Sequence, residues 1–118
     1  MSFKDVLEGI RERVEGTLAV SLIAVDGIAV ESINPGRVPL DVMSAEFTGF
    51  LKSIRLSNTE LNTGEVRQFS LVTEKYITFV SAVTSEYFVL LVVAADGNYG
   101  RARFELARSK QLLREELS

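Results

Sequence analysis

Two strand-length runs, LAVSLIAV over residues 18–25 and YFVLLVVAA over 87–95, are apolar at nearly every position. Side chains of a strand alternate between two faces, so a strand that is apolar on both must be covered on both. These two runs therefore belong in the middle of a sheet with helices above and below it. Residues 28–33 and 66–73 carry Glu31, Ser32, Arg67, Gln68 and Ser70, a polarity suited to edge strands. Residues 76–83 supply a fifth strand, joined to the fourth run by a tight turn at 73–75. Asp26-Gly27 lies between the first two strands and has the composition of a type I′ hairpin turn.

Helical spacing accounts for the rest of the chain. Phe3, Val6, Leu7, Ile10 and Val14 form one stripe, Ser2 and Asp5 make a capping box, and Gly16 closes the helix, which predicts a first helix over 3–15. A second helix runs from about 40 to 56, and a polar connection begins at Ser57. Residues 96–100 turn the chain into a third helix over about 99–116, in which Tyr99, Ala102, Leu106, Leu113 and Leu117 share a face. The order α-β-β-α-β-β-β-α, with neighbours joined as hairpins, gives an α+β three-layer sandwich. Its five-stranded antiparallel sheet has the order 2-1-5-4-3, with helix 2 on one face and helices 1 and 3 on the other.

Helix 2 is apolar on two opposite sides. At about 100° per residue, Leu40, Met43, Phe47, Phe50, Leu51 and Ile54 form the stripe expected to lie on the sheet. Val42, Ala45, Gly49 and Leu56 fall nearly opposite, with Ser53 beside them, and Asp41, Glu46, Lys52 and Arg55 occupy the flanks. Leaving Val42 and Leu56 wet forgoes about 1.5–3 kcal/mol each. Small residues every fourth position, Ala45, Gly49 and Ser53, let a second helix backbone approach. The third strand, carrying Phe69 and Leu71, is also left as an unpaired edge. A helix face and a sheet edge left over together predict a two-fold dimer in which strand pairs with strand and helix 2 stacks on helix 2. The expected interface is Val42, Ala45, Gly49, Ser53, Leu56, Phe69 and Leu71, with Glu46, Lys52 and Arg55 at its margin as a surface for a further partner.

Composition limits the chemistry. The 118 residues make one domain, 1–118, with 47% hydrophobic and 25% charged residues. A net charge of −3 gives no electrostatic footprint for nucleic acid. There is no cysteine for disulfides or thiol chemistry and no histidine for acid–base work or metal ligation, so no catalytic residue, cofactor or metal is expected. No apolar run is long enough to span a bilayer and the N-terminus lacks a signal-peptide core, so a cytoplasmic protein is expected.

Each local motif has a plain structural reading. Residues 96–100 could cradle a phosphate on free N–H groups, but they lack the lysine and spacing of a phosphate loop, and a turn with a helix cap is sufficient. Asp41 and Glu46 project to opposite flanks of helix 2 and do not form a carboxylate pair. Ser109-Lys110 has no nucleophile elbow. On helix 3, Arg103, Lys110 and Arg114 line one flank and Arg101 and Arg108 the other. This stripe could meet an acidic partner or an anionic surface, although interleaved Glu105, Glu115 and Glu116 make a solvated face the default. Phe104 lies off the core stripe and has no partner in this scheme.

The element order at this length resembles the Roadblock / dynein light chain family, of profilin-like or longin-like fold. The first hairpin, SLIAVDGIAVES, and Asn98-x-Gly100-x-x-Arg103 at the start of the last helix are similar to the family's own segments. The resemblance covers essentially the whole chain. It implies dimers formed through the second helix and third strand, and a regulatory or scaffolding role toward a small Ras-like GTPase, as in the MglB branch. The alternative is a longin- or profilin-like adaptor, or a motor light-chain type of scaffold, without a GTPase. A small-molecule sensor of the PAS type is disfavoured by the dense apolar centre. On a GTPase, an arginine finger could come only from Arg37, which sits on a projecting loop, and the expected mode is ordering of the GTPase's own switch loops.

Overall fold

A computed structural model describes residues 1–118. Its first helix, α1 (Phe3–Arg13), starts with the expected capping box: Ser2 Oγ accepts from the Asp5 N–H and Asp5 Oδ2 accepts from the Ser2 N–H, both at 3.1 Å. The helix ends two residues early because Val14 is already extended, and Gly16 follows at φ +86°.

The strands are β1 (Thr17–Ala24), β2 (Ala29–Ile33), β3 (Gln68–Val72), β4 (Tyr76–Ala82) and β5 (Tyr87–Ala94). They form one antiparallel sheet in the order β2-β1-β5-β4-β3. The hairpin between β1 and β2 is not closed by a type I′ turn. Gly27 (φ +92°) has a positive φ and Asp26 does not, while the Gly27 N–H donates to the Ala24 carbonyl at 2.8 Å. This is a three-residue loop ending in a left-handed glycine, and Asp26 Oδ1 accepts the Ile28 N–H at 2.9 Å. A register shift between Leu22 and Ile23 bends the β1–β2 pair.

Two apolar layers fill the sandwich. On one face, α1 and α3 (Tyr99–Leu117) cover Val20, Leu22, Phe79, Val89, Leu91 and Val93 in a cluster of 15 buried residues. On the other, α2 (Leu40–Leu61) covers Ala19, Ile23, Val80, Phe88, Leu90 and Val92 in a cluster of 9. The central strands β1 and β5 thus contribute side chains to both layers, as their composition requires.

The α3 helix is capped by Asn98, whose Oδ1 accepts the Arg101 N–H at 2.9 Å. A phosphate at this turn would compete with the cap for that N–H, so the capping reading fits residues 96–100. Gly97 allows the close approach of this turn to β5, since a Cβ there would lie 2.2 Å from Val93 Cγ1. Glu105 departs from expectation. It is 1% exposed, and its carboxylate lies 3.5 Å from Arg101 and 3.4 Å from Arg108, so it is a buried anchor for two exposed arginines. No helix is long and apolar enough to cross a membrane.

Candidate self-association surface

The α2 helix starts at Pro39, whose carbonyl accepts the Met43 N–H at 3.0 Å. Before it, the Asn34 side chain holds the loop by accepting from the Val38 N–H and donating to the Val38 carbonyl. The helix runs five residues past the expected end at 56 and stops at Asn62, which takes the left-handed cap conformation (φ 54°, ψ 46°). Thr59 and Glu60 extend its flank and outer face, and Asn58, on the sheet side, donates to the Gly64 carbonyl, so these polar residues read as a connection.

The helix is also rolled relative to the expected stripe. Its buried residues are Ser44, Phe47, Thr48 and Leu51. At 100° per residue, their mean direction lies about 60° round from the predicted core face. Two small hydroxyl residues thus face the sheet while Phe50 turns outward, 42% exposed, with its ring edge-on to Phe47 at 5.1 Å. The roll carries little polar penalty because Thr48 Oγ1 donates to the Ser44 carbonyl at 2.7 Å. The large side chains of Ile23, Phe88, Leu90 and Val92 rise from the sheet and fill the layer without Phe50.

The side of α2 away from its buried residues carries exposed apolar and small residues. Val42 is 62% and Leu56 75% exposed, and Ala45, Gly49 and Ser53 lie exposed between them. A Cβ at Gly49 would meet nothing within 4 Å. Phe50 and Leu61 add to the exposed apolar set and were missed from sequence, Phe50 because it was assigned to the core and Leu61 because the helix was ended too early.

At the sheet edge, β3 pairs with β4 on one side and with nothing on the other. Phe69 packs into the α2-side layer and Leu71, two residues on, points the same way and is partly exposed. Ser70 and Gln68 face the other layer, where they hydrogen-bond Tyr99 and Arg103 of α3. Arg103 of the Asn98-x-Gly100-x-x-Arg103 segment therefore ties α3 to the edge strand.

The charged residues expected at the margin do not form a single patch. Glu46 and Lys52 are exposed on opposite flanks of α2, and Arg55 turns toward the β4–β5 connection, where it donates to the Ser85 carbonyl at 3.1 Å.

Among solved structures, the chain is similar to a Roadblock/LC7 domain from Streptomyces avermitilis, with a TM-score of 0.88 at 22% identity over 99% of this chain and 98% of that one. It is also similar to MglC from Myxococcus xanthus, with 34% identity over 98% of this chain and 99% of that one and a TM-score of 0.71. The chain belongs to the Roadblock family. An MglB structure with a tetrameric arrangement matches this Roadblock chain at a TM-score of 0.84 and 17% identity, over 93% of this chain and 83% of that one. No family model and no curated protein sequence matches it. The sheet order and three helices of this Roadblock domain are those of the family fold.

Proposed function

We propose that this Roadblock chain is a non-catalytic module that forms a homodimer and binds and modulates a small Ras-like GTPase. The observation that carries the reading is the apolar outer face of α2 beside the free edge of β3. Val42 and Leu56 are exposed apolar side chains on a helix face stripped of bulk at Ala45, Gly49 and Ser53, with Phe50 and Leu61 exposed on its flank. A second copy stacked there, with β3 joined to β3 and Phe69 and Leu71 meeting their counterparts, would cover both features in one two-fold contact. A stable contact needs about 800 Å² per partner, and a 22-residue helix with a strand edge is long enough to supply it. Membership in the Roadblock family and likeness to MglC and MglB support the regulatory or scaffolding class.

The dimer would present a composite surface, with Lys52 and Arg55 on one flank of each α2 and Glu46 on the other. A GTPase held there would be influenced through the ordering of its switch loops, and no arginine of this chain is assigned the role of a finger. Sedimentation of the wild type and of Gly49→Arg tests the contact. The wild type should run as a dimer and the variant as a folded monomer. Two identical monomers would remove the interface. A pull-down of a Ras-like GTPase loaded with a GTP analogue or with GDP then separates a GTPase module from an adaptor: retention only in the triphosphate state supports the first, and none in either state supports the second.

A further inference from the structure

Away from the α2 outer face, a groove of about 890 Å³ opens where the chain passes from α2 into β3. The end of α2, residues 64–68, the β4–β5 connection and the second half of α3 form its walls. Four cations line it: Arg55, Arg67, Lys110 and Arg114. The ion pairs of the chain involve Arg11, Arg101, Arg108 and the amino terminus, and none of these four. Glu65 is the one carboxylate in the lining and lies beyond ion-pair distance of all of them. In a protein of net charge −3, an uncompensated positive cleft is a local inversion of charge.

Two of the cations are held in place. Arg114 Nε donates to the Val83 carbonyl at 2.7 Å and one Arg55 Nη to the Ser85 carbonyl at 3.1 Å. Each guanidinium is fixed by the β4–β5 connection with further N–H groups to spare, so little side-chain freedom remains to be lost on binding. Lys110 lies against the same cluster. Partial burial first, then Arg114 and Arg67, hold its ammonium below the usual lysine range, while Glu65 acts weakly the other way. An incoming anion would relieve that crowding.

The shape selects among anions. Only 4 of the 17 lining residues are hydrophobic, and the groove is open, unlike the largely apolar, enclosing pockets that bury small molecules. Its cations come from three elements, α2, the β3 approach and α3, and an extended run of carboxylates can reach all of them. Arg67 and Arg114 are exposed and Arg55 and Lys110 half-buried, so side chains of a partner can reach all four. We propose that this groove is a docking site for an extended, acidic segment of a partner protein, whose carboxylates pair with Arg55, Arg67, Lys110 and Arg114. The site shares Arg55 with the flank proposed for a GTPase and adjoins β3 at Gln68, but it lies off the Val42/Leu56 face and does not depend on a GTPase partner.

A fluorescein-labelled oligoglutamate peptide, followed by anisotropy at low and raised ionic strength, tests it. Wild type binds saturably, more weakly as salt rises. Arg67→Glu/Lys110→Glu weakens binding by at least about tenfold, and Lys4→Glu/Lys75→Glu, with the same charge change elsewhere, stays within about twofold. Should the first double variant lose its circular dichroism, Arg67→Gln/Lys110→Gln takes its place, with a smaller loss in the same direction. Absence of saturable binding, or equal weakening by both double variants, overturns the proposal. So does tighter binding of inorganic tripolyphosphate than of peptide, or retention on phosphatidylserine vesicles without peptide binding. Sedimentation of the Arg67/Lys110 variants stays that of wild type, so failure here leaves the self-association reading intact.

Discussion

The two faces of the sheet are finished differently. On one, α1 and α3 lie side by side over the strands and shield each other's apolar stripes. Their outward residues are charged, and even the buried Glu105 is paired with Arg101 and Arg108. On the other, α2 works alone. It closes a smaller layer and leaves Val42, Phe50, Leu56 and Leu61 to water. Phe104 is the exception on α3: it is 58% exposed, but Arg101 lies over its ring at 5.8 Å, so it is a single apolar group in a charged setting. The difference teaches that paired helices can shield each other's apolar stripes, whereas a lone helix over a sheet leaves apolar side chains exposed.

The largest expected effects ask whether both layers matter to the monomer. Phe79→Ala on the two-helix side and Phe88→Ala on the α2 side each delete a fully buried ring and should cost about 3–5 kcal/mol in urea unfolding. A negligible loss at Phe88 would mean that the α2 layer is loosely packed. Next comes the contrast between outer faces. Val42→Ser/Leu56→Ser should weaken association by at least about 2 kcal/mol, read from the sedimentation equilibrium constant. Phe104→Ser should leave it within about 0.5 kcal/mol. If Phe104→Ser dissociates the protein as strongly, the contrast between faces fails. Thr48→Val sharpens the geometry of the roll: losing the bond to Ser44 should change stability by no more than about 1 kcal/mol, and a larger loss would show that the hydroxyl has a further partner under α2.

The smallest effect is at the far end of the two-helix side. Bonds from the Ser2 backbone and side chain hold the Asp5 carboxyl below its ordinary value of 3.8. A depressed folded pKa contributes stability above the unfolded value, and this is lost as pH falls from about 3.8 through the folded pKa. Acid titration of helical circular dichroism should therefore show a slightly shallower decline for Asp5→Asn than for wild type in that window.

Much of this architecture could be read from the residues. Runs apolar on both faces have few places to go, so β1 and β5 and the sheet order followed from composition, and the Ser2–Asp5 box and the Asn98 cap followed from local chemistry. The rotation of α2 could not be read, because a helix with apolar residues on several sides has no unique buried direction. Ser44 and Thr48 look solvent-facing by polarity alone, yet both are buried, with the Thr48 hydroxyl satisfied by the Ser44 carbonyl. Glu105 was misplaced for a similar reason: an acid among arginines reads as surface until the fold shows its two partners above it. The groove brings together Arg55, Arg67, Lys110 and Arg114 from three separate segments, and no spacing rule joins them.

The register shift that leaves Val30 of β2 without a partner on β1 has a further consequence at the opposite rim. In the proposed two-fold contact through β3, each end of the enlarged sheet would be β2, a five-residue bulged strand with Glu31 in its middle. Such a rim is a poor template for another strand. If the proposed two-fold contact forms, strand addition would end with the pair and would not run on into a filament.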